Sequence, residues 1–223
     1  MTAPPPPPLD ALAALLDRCA SFEPPSLVPE VRVFHAYSLT DVWEAAESIV
    51  AGTLPSPYWA YAWPAGIALA RVLLDQPEIV QGRRVLDFGA GGGVASLAAA
   101  RAGATLVTAN DLDPWAAAVT RIAAARQGLR VDTHTGDLTQ NAQLMHAYDV
   151  VLGSDLSYER AVAPLQRALL EQAHARGADV LIADAGRTYF DERGLVQIAE
   201  YEIEVPLDLE GVGFRRARVY RMG

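Results

Sequence analysis

The chain of 223 residues contains no lysine: all 18 basic residues are arginine, set against 27 acidic ones, for a formal charge of −9. That balance opposes nucleic acid, whose affinity comes largely from cationic side chains meeting phosphates. The one basic cluster, FRRARVYR (Phe214 to Arg221), scatters its arginines over both parities of a strand pattern, as a solvated edge does. Cysteine is almost missing as well. Cys19 stands alone, which excludes an intramolecular disulfide and points to a reducing compartment. His35, His134, His146 and His174 share no ligand spacing, so no metal site is expected. No charge-free apolar run approaches the ~20 residues that span a bilayer. The opening MTAPPPPPLD lacks the charged and apolar regions of a signal peptide and the Arg-rich character of a mitochondrial address. The expectation is a cytoplasmic protein without a membrane partner.

Apolar residues are plentiful. At 51% hydrophobic the chain can fill one sizeable core. Residues 1–8 read as an extended polyproline tail, disordered in isolation. Residues 9–62 read as an extension packing on the core, with a helix from Leu9 to about Ala20, a strand over Val31 to Tyr37 and a helix around Asp41 to Val50. The main domain is 63–223. Pro64 suits the first turn of a helix to about Leu74. From Arg84 onward, strands and helices alternate. RRVLDF, TLVTAN, RVDTHT, YDVVLGS and DVLIAD are strands, with helices after the first, second and fourth; the fourth strand's helix is expected over ERAVAPLQRALLEQAHA. YEIEVPL and FRRARVYRM should close as an antiparallel hairpin at the sheet edge. Near-continuous Val, Leu and Ile in strands separated by helices predict an α/β, Rossmann-like, doubly wound seven-stranded sheet, mostly parallel with an antiparallel last strand and helices on both faces.

After the first of these strands comes DFGAGGG, with Asp87, Gly89, Gly91 and Gly93. A dinucleotide fingerprint starting at Gly89 would need glycine where Val94 stands, which disfavours a nicotinamide-dependent oxidoreductase. Asp87 is poorly placed for a pyrophosphate but suited to orient an amino-acid ammonium, which favours S-adenosylmethionine. Asp111 ends the second strand, about where an acid reaches a ribose hydroxyl in doubly wound folds. Asp113 caps the following helix. Asp137 ends the third strand, where it can accept the adenine amino group while Leu138 packs on the ring. Ser154, at the end of the fourth strand, is counted with the cofactor contacts.

This arrangement resembles the seven-β-strand S-adenosylmethionine-dependent methyltransferases. Within them, the stretch from Pro57 to Ala116 is similar to the lysine methyltransferases of electron transfer flavoprotein β-subunit. Matching motifs are Trp63-Pro64, Asn110-Asp111, and a D-x-x-Y formed by Asp155 and Tyr158. Asp184 to Arg187 resembles the family's D-P-G-R, with Ala185 replacing the proline. The resemblance implies a protein lysine N-methyltransferase that yields S-adenosyl-L-homocysteine, with the flavoprotein β-subunit as its partner; a monomer is expected. A small-molecule amine or a ribosomal protein is the alternative acceptor. Asp155 is expected to hydrogen-bond and orient the amine, with Tyr158 beside it as a catalytic wall; whether Asp155 or solvent takes the amine's proton stays open. Trp59, Tyr61 and Arg187 are assigned to substrate binding, and Trp63 to covering the cofactor. Two other readings stay open: Asp155 as the cap of the helix that follows it, and YWAYAW as core packing at period two.

Overall fold

Leucines at helical spacing draw the first element onto the core. In a computed structural model that describes residues 4–223, helix α1 (Leu9–Cys19) buries Leu12, Leu15 and Leu16. Residues 1–3 of the expected tail lie outside the described residues. Strand β1 (Ala20–Glu23) pairs antiparallel with β2 (Val33–Ala36) as a separate ribbon. Helix α2 (Leu39–Val50) is capped by Ser38, whose side chain accepts from the Asp41 amide. Helix α3 (Pro64–Asp75) starts with proline in its first turn, where a missing N–H costs nothing.

The alternating region follows: β3 (Arg84–Phe88), α4 (Val94–Arg101), β4 (Leu106–Asp111), α5 (Pro114–Arg126), β5 (Asp132–Thr135), β6 (Val150–Ser154), α6 (Ala163–Ala175), β7 (Asp179–Asp184), β8 (Leu195–Glu204), the short α7 (Leu207–Glu210) and β9 (Phe214–Met222). The main sheet has seven strands in the order β5-β4-β3-β6-β7-β9-β8. β3 through β7 pair in parallel, while β9 runs antiparallel between β7 and β8. The expected class and the edge hairpin are both present.

Successive residues of the central strands enter opposite cores, which is why those strands read as continuous apolar runs. Val85 joins the layer of Leu69, Leu97 and Val119, while Leu86 joins that of Val151, Leu170 and Ile182. Full burial of one such side chain is worth ~2 kcal/mol, so this two-sided pattern fixes the register. No described helix is long and apolar enough to cross a membrane.

Among the boundaries that differ from expectation, three are instructive. β1 follows directly on α1 and takes Ala20 from the expected helix end; its other three residues belong to no expected element. α6 begins at Ala163 rather than Glu159, because Pro164 can occupy only the first turn. β8 begins at Leu195 rather than Tyr201. Its first half lies half-exposed on the sheet edge with a bulge between Gln197 and Ala199, so no clean alternation marks it.

Candidate active site

The strand order reverses beside β3, and in open α/β sheets ligands bind at the carboxyl ends near such a switch. The glycine loop between β3 and α4 lies there. The Gly89 and Ala90 amides both donate to the Asn110 carbonyl at 2.9 Å, tying the loop to the end of β4. The Gly91 amide donates to Asp111 Oδ2 at 2.8 Å. Two positions require glycine outright. A Cβ on Gly92 would sit 2.8 Å from the Trp59 carbonyl oxygen, and one on Gly93, where φ is 83°, would sit 2.6 Å from Thr120.

Asp87 is buried beneath this loop. Ser96 donates to its Oδ2 at 2.5 Å, while Oδ1 has no hydrogen-bond partner. Burial pushes its carboxyl up to about 6, against the Ser96 hydrogen bond. Asp111 accepts from the amides of Gly91 and Asp113, and burial raises its pKa despite these bonds. Asp113 caps α5 through the Trp115 amide, as expected. Asn110, also buried, donates to the carbonyls of His134 and Gly136 and so fastens the end of β5 to β4.

Two expected adenine contacts are used differently. Asp137 accepts from the Thr139 amide and hydroxyl and from Gln140, which lower its pKa and make it the hub of its own turn. Leu138 is 1% exposed and packed with Leu86, Phe88 and Met145, so its side chain belongs to the core and cannot lie on a ligand ring.

At the end of β6, Ser154 is half-buried and Asp155 has φ 51°, a left-handed conformation that Asp tolerates better than most residues. Both Asp155 oxygens are engaged. Oδ2 accepts from the Ala65 amide at 3.0 Å and Oδ1 from Arg187 Nε at 2.7 Å. Asp155 therefore does cap a helix, but the helix is α3, not α6. Burial raises its carboxyl pKa, opposed by Arg187. Arg187 in turn donates to Glu210, a buried carboxylate that also holds Arg215. Asp184 at the end of β7 accepts from the Gly186 and Arg187 amides, fixing the turn that aims Arg187 inward. Arg187 was assigned to substrate binding; its charged end is committed to Asp155 and Glu210, with Trp63 5.4 Å beneath it.

The aromatic stretch divides into two sets. Tyr58–Ala60 forms a 3-10 turn that breaks the period of two. Trp59 is consequently 3% exposed and stacked on Trp115, which removes it from the substrate wall. Tyr61 is buried at the edge of Trp63 and His35. Trp63 donates to the Tyr58 carbonyl and meets its ring edge-on at 5.7 Å. Tyr58 and Tyr158 approach at 5.7 Å, each half-exposed. Burial pushes the Tyr158 phenol up to about 12, so it stays protonated at neutral pH. Tyr58 and Glu210 escaped the sequence reading: Tyr58 had the wrong parity, and Glu210 ends the one-turn helix α7, which reads as a loop in the sequence.

Comparison with known proteins bears on this site. A family model for a methyltransferase domain matches residues 85–178. The chain is 33% identical over 217 residues to the electron transfer flavoprotein beta subunit lysine methyltransferase of Danio rerio, covering 93% of this chain and 81% of that protein. The Xenopus laevis counterpart is 32% identical over 200 residues, covering 87% and 80%. In fold, the chain is similar to the magnesium protoporphyrin IX methyltransferase of Synechocystis PCC 6803, solved with bound S-adenosylmethionine. The TM-score is 0.52 at 18% identity, over 71% of this chain and 78% of that one. With that extent of sequence identity joined to this sheet and glycine loop, the chain belongs to the electron transfer flavoprotein beta subunit lysine methyltransferases.

Proposed function

We propose that the chain uses S-adenosylmethionine to methylate lysine side chains of the electron transfer flavoprotein β-subunit. The observation that carries this reading is the 33% identity to the Danio rerio enzyme over 93% of the chain.

The residues present fit the cofactor. Asp87 offers a buried carboxylate oxygen without a partner, which suits an ammonium group. Asp111 keeps acceptor capacity for a ribose hydroxyl, since a carboxylate has about four acceptor sites and its backbone partners are Gly91, Leu112 and Asp113. Gly91 has open space where a side chain would stand, so a ligand can approach the loop there, while Gly89 and Gly93 let the loop pack against Leu156 and Thr120; Ser154, Asp137 and Trp63 are assigned to the border of that space. When bound, S-adenosylmethionine supplies an electrophilic methyl group on sulfonium sulfur.

A lysine amine with pKa ~10.4 is neutral about one part in a thousand at pH 7.4. Tyr158, protonated up to about 12, is no base for it. Asp155 is held by Arg187 and Ala65 and serves as an oriented anionic fixture at the amine's end of the site. The amine therefore releases its proton to solvent as it is desolvated. The half-exposed faces of Tyr58 and Tyr158 give the methylated ammonium a cation–π surface. A cytoplasmic monomer without a nucleic-acid partner completes the proposal.

The test is transfer of labelled methyl to the purified flavoprotein β-subunit. Because the chain has no lysine, label recovered on lysine comes from the acceptor. Label on a ribosomal protein or a small amine, with none on the β-subunit, rejects the substrate assignment.

A further inference from the structure

The proline-rich tail has no role in the reading above, yet it touches the brace under the glycine loop. Trp115 Nε1 donates to the Pro4 carbonyl at 3.0 Å, and Trp115 is 0% exposed. Its ring stacks on Trp59 at 5.9 Å with 14° between the planes. The Trp59 carbonyl is the atom a Cβ on Gly92 would strike, and the Trp59 indole lies close enough to the Asp113 carboxylate at the start of α5 to lower its pKa against the effect of burial. A continuous set of contacts thus runs from Pro4 through Trp115 and Trp59 to the backbone of Gly92.

We propose that the segment from Pro4 to Pro8 is a working part of the cofactor site: it completes the hydrogen bonding of Trp115 and so holds the glycine loop in its ligand-ready shape. Proline suits the position. The segment lacks N–H groups that would need partners, and its fixed φ makes ordering it cheap in entropy. Without Pro4, a buried indole N–H is left unpaired, a condition proteins avoid by repacking. The repacking would fall on Trp59 and the loop above it. The inference deepens the cofactor reading and rests on it.

Two variants test it. One lacks residues 1–7 and keeps Pro8, whose carbonyl accepts from Leu12 at the start of α1. The other is Trp115→Phe, which removes the donor and keeps a stacking ring. Titration with S-adenosylhomocysteine should show each binding about fivefold to tenfold more weakly than the intact chain. The two changes combined should be no weaker than either alone, since both remove one interaction. In the ligand-free protein, hydrogen exchange at the Gly91 and Gly93 amides should speed up in both variants. Affinity within twofold of the intact chain, effects that multiply in the double variant, or unchanged exchange would each overturn the proposal. If the intact chain fails to bind S-adenosylhomocysteine, the cofactor reading falls, and the exchange measurement still decides the brace.

Discussion

Asp87→Asn should make the protein more stable while weakening its affinity for the cofactor. The Asp87 carboxyl is buried, which pushes it up to about 6 in the folded chain, against 3.8 for a free aspartate. A folded pKa above the unfolded one means the native state holds its proton more tightly. The associated stability is present below 3.8 and lost as pH rises through about 6. A shift of about two units corresponds to about 3 kcal/mol by pH 8, and roughly half of that at pH 5. Asparagine does not ionise and keeps an acceptor for Ser96. Its extra N–H bonds, left unpaired, return about 1 kcal/mol. The variant should therefore be about 2 kcal/mol more stable at pH 8, or ~4–8 °C in Tm for a chain of this size. The gain should shrink at pH 5. Paired thermal melts at the two pH values measure it, with calorimetry for S-adenosylhomocysteine, whose affinity should fall by about tenfold or more. A variant less stable than the parent at pH 8, or a gain independent of pH, would show that Asp87 is not held ionised against its environment.

Arg187→Met leaves the buried carboxylate of Asp155 without its cation and Glu210 with Arg215 alone, and should cost ~3–5 kcal/mol, read as a fall in Tm of ~6–20 °C. An unchanged melt refutes the clamp. Tyr158→Phe keeps the ring face and should retain methyl transfer within a few-fold, whereas Tyr158→Ala should lose about fivefold to thirtyfold, the weight of a partly desolvated cation–π contact; equal losses in single-turnover assays would place the function in the hydroxyl. Gly92→Ala drives a Cβ against the Trp59 carbonyl and should weaken S-adenosylhomocysteine binding, so wild-type affinity in that variant would show the loop to be free of Trp59.

Local chemistry marked many of the parts. Asp113 capping α5 and Pro64 opening α3 follow from rules that act within one turn. Asp87 could be singled out because its strand neighbours Leu86 and Phe88 are apolar and glycines follow it. The divided aromatic stretch could not be read this way. Trp59, Tyr61 and Trp63 share a parity, but a 3-10 turn at Tyr58–Ala60 rotates the chain, sending Trp59 onto Trp115 and leaving Tyr58 to face Tyr158.

By itself, the sequence determined the strand and helix alternation, the glycine loop with its ordered acids, and the chemistry those imply, because each depends on residues near one another in the chain. Tertiary structure alone decided which of those polar groups remain free. Asp155 meets an amide 90 residues before it and a guanidinium 32 residues after it, and Arg187 reaches on to Glu210. Leu138, one residue past an acid at a strand end, turns into the core. Burial and hydrogen-bond partnership are set by elements distant in sequence, so the same carboxylate reads as an open ligand in the chain and as a clamped fixture in the fold.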